Sequence, residues 1–536
     1  MTSHVAADLS DARLAAWVPP MKSADADLLS ELPVITNRAR DLVRNNPIAA
    51  GAKQTLTDNI VGSQLRLSAQ PKYRLLHWDK ERANDWANIA EDQFATWADT
   101  TECDAARTQT LQGLTTLSLG SAFMNGDALA LVMWLPRVGS PWATRLQTVE
   151  ADRLSTPPWL FNQKHVRNGV EIDDLGAPVA YWIQKSHPGD ENYCPAGQDD
   201  WERVPAFTSS GRRRVIHLFD KDRSGQSRGK SIFTSVMREF KVAGDYLGHE
   251  LQAAASNALI AAFLESDLDP QTVADLFGSD IGTASDYWQQ VSAATHRKKM
   301  EGGMMLNLPL GTKLSGYNPN RPNTAFNGFM ESVLRHIAAG LNIPYELLLK
   351  DFSKTNYSSA RAALLEAWRF FQSKRKWLQD HWLNPIYQCW MEEAVNANRI
   401  DAPQFYDNLH AYTGARWVFA GRGWVDPVKE SKASQMRMEI GLSTQQDECA
   451  EQGKDYQEVQ DQRIRELVEA FQKTEAAGLP EQAAYLIAGF AAPGKASASV
   501  QALDAMPDDV ADDQNNDAQQ QDDDPQQNNN STSSNE

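Results

Sequence analysis

Cysteine is scarce in this chain of 536 residues: Cys103, Cys194, Cys389 and Cys449 stand far apart, and no C-x-x-C pair occurs. That spacing excludes a zinc ribbon and a disulfide framework. Four scattered thiols suit a reducing cytoplasm. Histidine is sparse too, and His77, His165, His187 and His217 show no ligand spacing. His249-Glu250 opens the H-E-x-x-H pattern, but Ala253 stands where the second histidine belongs, which excludes a metalloprotease. No apolar run approaches the roughly 20 residues of a membrane span. Asp8, Asp11, Asp25 and Asp27 interrupt any signal-peptide core. These absences point to a soluble protein made in a cytosol, with no membrane partner, no metal and no cofactor. Positive charge is the minority sign. The formal net charge is −18, and residues 508–536 alone hold eight Asp and one Glu with no Lys or Arg. A moderately acidic body is a poor general binder of nucleic acid, because phosphate affinity comes mainly from cationic contacts. It can still handle DNA by enclosing it.

What is present is a helix-rich chain with a strand-rich part. A helical stretch covers Thr36 to Ile60, with Arg38, Arg40 and Arg44 on it; Pro47 breaks it and suits the first turn of a second helix. Trp78–Trp97 and Thr108–Met124 read as amphipathic helices, and Asn125-Gly126-Asp127 as a turn. Strands follow at 128–135, 146–149, 169–172, 179–184 and 215–219. The fold class is therefore α+β, mainly helical. Gly229 to about Phe263 returns to helical period, with Gly244 and Gly248 offering a flat strip to another helix. Residues 267–299 read as polar helix, and 304–308 with 312–317 as a strand-turn-strand unit.

The chain is organised around Asn323 to Ala394. Phe326, Phe329, Met330, Val333, Leu334, Ile337 and Leu341 make one apolar helix face, with Asn323 or Thr324 as cap. Asn342-Ile343-Pro344 ends the helix, and a polar loop runs from Lys350 to Asn356. Helical period resumes over Ser358–Ala394, where Pro385 should kink the helix. That segment spans about 55 Å, longer than a small domain needs, which suggests part of an assembly. Its large aromatics want neighbours along its length, as do Arg369, Lys374, Arg375 and Lys376 elsewhere on it. The sixteen tryptophans sit mostly on apolar helix faces, which fits core packing better than base stacking. Later, Ser443-Thr444-Gln445-Gln446 has capping-box spacing with Ser443 at the cap. Residues 456–491 read as helix, and the Asp/Gln/Asn/Ser tail from about 507 as disordered.

The sharpest local motifs overlap. Gly225-Gln226-Ser227-Arg228-Gly229 matches the G-x-S-x-G nucleophile elbow, after a strand and before a helix. It lacks an H-G-G-G-like oxyanion loop, and nothing singles out His336, His381 or His410 as its partner. Gly229-Lys230-Ser231 supplies the end of a phosphate loop, but the first glycine would fall at Ser224 and Gly225 is one residue too close. A P-loop-like nucleotide site at Gly225–Ser231 is the alternative reading. The bland one is a strand-to-helix turn with a basic tip. Lys350 and Lys354 stand apart from these motifs: copies of the loop arranged in a ring would make a band of positive charge.

The chain resembles the portal proteins of tailed bacteriophages, specifically the lambda-type family. The resembling stretches are 38–46 (RARDLVRNN), 58–62 (DNIVG), 225–229 (GQSRG), 334–340 (LRHIAAG), 357–361 (YSSAR), and 441–443 (GLS) with Asp455-Tyr456 after it. They run in order from about residue 35 to 475. The resemblance implies a portal fold with wing, stem, clip and crown parts, forming a dodecameric ring with a central channel. It implies a loose arm over 1–30, a wing over 31–228, stem helices over 229–265 and 321–341 and a clip over 266–320. It further implies a tunnel loop over 342–357, a long kinked helix over 358–398, C-terminal wing and crown helices over 399–506, and an acidic tail over 507–536. Function, by the same resemblance, is a non-enzymatic channel at one capsid vertex of the virion, assembled in the bacterial host cytoplasm. Double-stranded DNA would be packaged and ejected through it, with Lys350, Lys354 and Asn356 as tunnel-loop residues facing that DNA. The implied partners are further copies of the chain, the terminase large subunit, the head–tail connector or adaptor, and the major capsid and scaffold proteins.

Overall fold

The computed structural model describes residues 4–190, 200–259, 263–266, 312–315, 326–423 and 427–489. The chain divides into two units, Met1–Gly62 with Ala69–Ala415, and Ser63–Ser68 with Arg416–Glu536.

The first unit begins with α1 (Ala24–Leu28), α2 (Leu32–Asn45) and α3 (Pro47–Ile60). Asn46 ends α2 and caps α3, its Oδ1 accepting from the N–H groups of Ile48 and Ala49 at 3.0 and 3.1 Å. Pro47 takes the first helical position, where its missing N–H costs nothing. The segment 1–30, expected to be loose, is tied down at its end, since Asp25 in α1 is buried. After β1 (Leu65–Ala69) come α4 (Lys80–Ala98) and α5 (Leu111–Asn125), capped by Asp79 and Thr110.

Two antiparallel sheets follow. β2 (Asp127–Trp134), β3 (Thr144–Val149) and β8 (Val215–Phe219) pair in the order β3-β2-β8; β4 (Val166–Arg167), β5 (Val170–Ile172), β6 (Pro178–Gln184) and β7 (Trp201–Pro205) form a meander. Leu129, Val149, Leu154, Val170, Tyr181, Ile183, Val204 and Val215 make one buried cluster from both sheets. β7 was not anticipated, because only Val204 of its five residues is fully buried and the strand shows no apolar alternation. A second core is aromatic. Trp390 packs on Phe94 and on Trp142 with centroids 5.0 Å apart in each case, and the Trp97 indole donates to the Thr144 carbonyl at 2.9 Å. The expectation that tryptophans serve packing holds for Trp97, Trp142, Trp382 and Trp390, all fully buried.

The helical stretch expected from Gly229 starts eight residues late, as α6 (Met237–Leu259). Ile232 donates its N–H to the Phe123 carbonyl at 3.0 Å and Phe233 to the Ser231 hydroxyl at 3.2 Å, two bonds that a helix beginning at Gly229 would need. The strand expected at 312–317 is present as β10 (Thr312–Ser315), which pairs antiparallel with β9 (Phe263–Ser266), a strand that was not anticipated from the sequence. The expected strand at 304–308 and polar helix at 267–299 lie outside the described residues, as do Asn323, Thr324 and the tail from 507. α7 (Phe326–Gly340) meets α6 through Tyr246, whose ring lies 5.6 Å from Phe326 and 5.1 Å from Phe329. The Gly244/Gly248 strip does not carry that contact: Gly248 faces open space and Gly244 only the Asn46 amide.

A short α8 (Tyr345–Leu349) follows the Asn342-Ile343-Pro344 break, then α9 (Tyr357–Leu378), a π-helical turn over Gln379–Leu383, and α10 (Asn384–Asn396). The π turn is how the chain absorbs Pro385, which cannot donate to the preceding turn and would crowd the carbonyl four residues back. Three consecutive basic side chains of α9 are engaged within the unit. Lys374 pairs with Asp220, Lys376 with Asp380, and Arg375 donates to the Ile60 and Asn59 carbonyls at the end of α3, where a cation complements the helix dipole. α11 (Leu409–Tyr412) closes the unit.

In the second unit β1 pairs with β11 (Ala415–Phe419), and α12 (Pro427–Glu439), α13 (Gln445–Glu451), α14 (Tyr456–Ala476) and α15 (Gln482–Ile487) follow. Thr444 rather than Ser443 caps α13, accepting from the Asp447 N–H at 3.2 Å. The expected helix 456–491 is two helices, broken where Gly478 takes φ +67° ahead of Pro480.

Trp390→Ala should destabilise the first unit by about 3–5 kcal/mol, read as a lower midpoint in denaturant unfolding of the full chain.

Candidate functional site

Lys350, Lys354 and Asn356, the residues expected to face DNA, lie together on one exposed loop between α8 and α9. Each has a different local role. Lys350 ends α8 in the left-handed conformation, φ +58°, and makes no ion pair among the described residues. Lys354 donates to Glu331 of α7 at 3.1 Å. Asn356 caps α9, its Oδ1 accepting from the Ser359 N–H at 2.8 Å. So Asn356 has a structural task that accounts for its presence. Glu331 was missed by the sequence reading, since nothing in the spacing of α7 links it to a residue 23 positions on. Of the three α2 arginines, Arg40 is taken up by Asn125 at 2.8 Å and by Asp152, while Arg38 and Arg44 are exposed.

The glycine loop at 225–231 is built around a buried ion pair. Asp127 opens β2, His217 lies on the paired β8 opposite Leu129, and the Asp127 and His217 side chains are almost fully buried beside Arg228. Arg228 Nε donates to Asp127 at 2.7 Å, the Gly229 N–H at 2.8 Å, and the His217 ring nitrogen lies 2.9 Å away. The rest of the guanidinium donates to the carbonyls of Leu154 and Asn168 at 2.9 Å and Ala151 at 3.1 Å. Gly126 and Gly229 meet backbone to backbone: a Cβ on Gly229 would stand 2.0 Å from the Gly126 carbonyl oxygen, and Gly126 holds φ +93°. Only glycine fits at either position.

This arrangement overturns both catalytic readings of the loop. Ser227 is buried, and its hydroxyl and N–H donate to Asp25 at 2.7 and 2.8 Å rather than to an imidazole. The Ser231 hydroxyl is buried and donates to the Phe123 carbonyl at 3.1 Å, so it is closed to a magnesium ion. The amides of Ser227 and Gly229, which a nucleotide phosphate would need, already serve two carboxylates. Lys230 is exposed and paired with Asp222 at 2.7 Å. The strand-to-helix turn with a basic tip is the correct reading.

Comparison with known proteins decides the family. A sequence profile described as "Phage portal protein, lambda family" matches residues 10–375. The "Portal protein" of Escherichia phage N15 is 33% identical over 476 residues, covering 85% of this chain and 88% of that protein. The chain belongs to the lambda family of phage portal proteins. "Portal protein B" of Escherichia phage lambda is 32% identical over 476 residues, covering 85% of this chain and 87% of that protein. A solved chain from the neck of an empty GTA particle is similar over 78% of this chain and 93% of its own length, with a TM-score of 0.40 at 14% identity. As a portal protein the chain is a structural component of the virion and not an enzyme. The family match begins at residue 10, earlier than the resembling stretches, and takes in both the glycine loop and the lysine loop. No helix among the described residues is long and apolar enough to cross a membrane.

Burial opposes ionisation of Asp127, but Arg228, His217 and the Gly229 N–H together hold its carboxyl below the usual range. Burial pushes His217 below its usual value, against the pull of Asp127. Both shifts have the same sign in stability. The unfolded chain takes up protons first, so His217 withdraws stability as pH falls below about 6.5 and Asp127 below about 3.9. His217→Gln should therefore lose less stability than wild type between neutral and mildly acidic pH, read by denaturant unfolding at each. Asp127→Asn leaves Arg228 buried without its counter-ion and should cost about 3–5 kcal/mol. In a separate assay neither wild type nor Lys230→Ala should bind ATP saturably.

Proposed function

We propose that this portal protein works as a ring of about twelve copies, closed by rotational symmetry, around a channel for double-stranded DNA. In this reading the ring sits at one capsid vertex, and DNA is packaged and later ejected through it. Residues 31–228 make the wing, 229–265 and 321–341 the stem, 266–320 the clip, and 399–506 the C-terminal wing and crown helices. The clip faces the terminase large subunit and then the head–tail connector, while the wing contacts major capsid and scaffold proteins. Residues 342–357 form the tunnel loop, with Lys350 and Lys354 toward the lumen.

The observation that carries this reading is the placement of Lys350, Lys354 and Asn356 on one exposed loop at a helix–break–helix junction, within the family match. Charge supports it too. With a net charge of −18 the chain does not grip DNA as a whole, whereas a protein that neutralises many phosphates binds with steep salt dependence and holds on. A lumen that repels the backbone with a sparse ring of lysines lets DNA move and still checks backsliding.

Negative-stain microscopy with mass measurement of the purified protein should give a ring with a central hole. Charge reversal of Lys350 together with Lys354 should reduce DNA retained in filled heads; retention and packaging equal to wild type would remove the tunnel-loop assignment.

A further inference from the structure

The two lysines of the loop are not equivalent. Glu331, midway along α7, holds two cations at once. Its Oε1 accepts from Arg335 at 2.8 Å, and its Oε2 from Lys354 at 3.1 Å. Arg335 has a second anchor, since its guanidinium lies over the Tyr345 ring at 4.7 Å. Among the described residues Lys354 has a single carboxylate partner; its neighbour Asp351 is turned to the Ser353 N–H at 3.0 Å. Arg335, and then Lys354, hold the Glu331 carboxyl below its usual range, and Glu331 raises the Lys354 ammonium above its usual value. Lys350 makes no ion pair among the described residues.

We infer that Glu331 is a built-in stand-in for a DNA phosphate: it holds Lys354, and with it the 350–356 loop, against α7 when DNA is absent, and yields Lys354 to a phosphate when DNA is present. Lys350 is then the standing cation of the loop and Lys354 its exchangeable one. The inference rests on 342–357 being the DNA-facing loop.

The physical argument is one of exchange. Lys354 and Glu331 are both partly open to solvent, and an ion pair of that kind is weak and screened by salt. Trading a carboxylate for a phosphate leaves Lys354 paired before and after, so little free energy is gained by contact. Glu331 is not stranded, because Arg335 stays beside it on the same helix. A channel needs contacts of this kind, which guide DNA without holding it.

The test is binding of a short mixed-sequence DNA duplex to the assembled full-length protein, measured by fluorescence anisotropy across a salt series. Glu331→Gln keeps the shape of the side chain and removes its charge; ring assembly by negative stain serves as the control. It should bind DNA more tightly than wild type, because no internal ion pair has to break before Lys354 reaches a phosphate, while the slope of log K against log salt keeps in both proteins the share of about 0.9 that Lys354 contributes. Adding Lys354→Ala to Glu331→Gln should abolish that gain, and Lys350→Ala alone should weaken binding and flatten the slope. If Lys350→Ala weakens binding but Glu331→Gln changes nothing, the stand-in role is wrong and the loop reading stands. A gain that survives in the double variant also overturns it, since the gain then comes from elsewhere. If no lysine substitution alters binding, the loop does not meet DNA and both readings fall.

Discussion

The Arg228–Asp127 ion pair is the interaction on which the first unit's architecture turns. Two charges removed from water are costly, and the pair persists only because their hydrogen-bonding capacity is met on nearly every side. Asp127 receives a guanidinium, a peptide N–H and an imidazole; Arg228 reaches three carbonyls besides. Those partners come from β2, β8, the turn at 151–154, the β4–β5 turn and the glycine loop. One pair thereby fixes where five segments cross. Ser227, next to Arg228, adds a sixth by binding Asp25 of α1, which Arg167 also contacts at 3.0 Å.

The same pair explains why a glycine pattern that suggests catalysis does something else. Loops with successive inward N–H groups suit anions, and here the anions are the chain's own carboxylates. Gly126 and Gly229 exist to let two backbones touch, which Arg228 and Asp127 require. The late start of α6 arises just beyond this contact: Ile232 donates to the Phe123 carbonyl at 3.0 Å and Phe233 to the Ser231 hydroxyl at 3.2 Å, so neither N–H is available to a helix beginning at Gly229. The lysine loop is of the opposite kind. It is exposed, held by local caps and a surface ion pair, and therefore cheap to move.

Much of the helical frame was legible because its signals are local. Asn46-Pro47, Asp79, Thr110 and Asn356 act as caps or first-turn residues within a few positions of where they stand. The strands at 128–135 and 215–219 were legible as apolar runs between turns. The candidate loop was legible as a polar segment after a proline break. The failures share a different feature. β9 is recognisable only through its pairing with β10, far along the chain, and β7 buries only one residue well. Thr444 displaces Ser443 as the cap, although both have the right side chain, because Asp447 lies three positions beyond Thr444 and its carboxylate also takes the threonine hydroxyl, at 2.7 Å. Proline alone suggested a kink at 385, whereas the ladder shifts to a π turn ahead of it.

By itself the sequence determined the α+β class, the breaks at Asn46-Pro47 and Asn342-Ile343-Pro344, the lysine loop and the membership of a portal family. These depend on residues near one another in the chain and on ordered stretches of similarity. Tertiary structure alone decided that Ser227 and Ser231 are sealed inside, that Asp127 and Arg228 are partners across 101 residues, and that Glu331 engages Lys354 while Lys350 makes no ion pair among the described residues. The reason is that a buried or paired charge is defined by what surrounds it. Those surroundings are assembled from segments whose meeting no local spacing encodes.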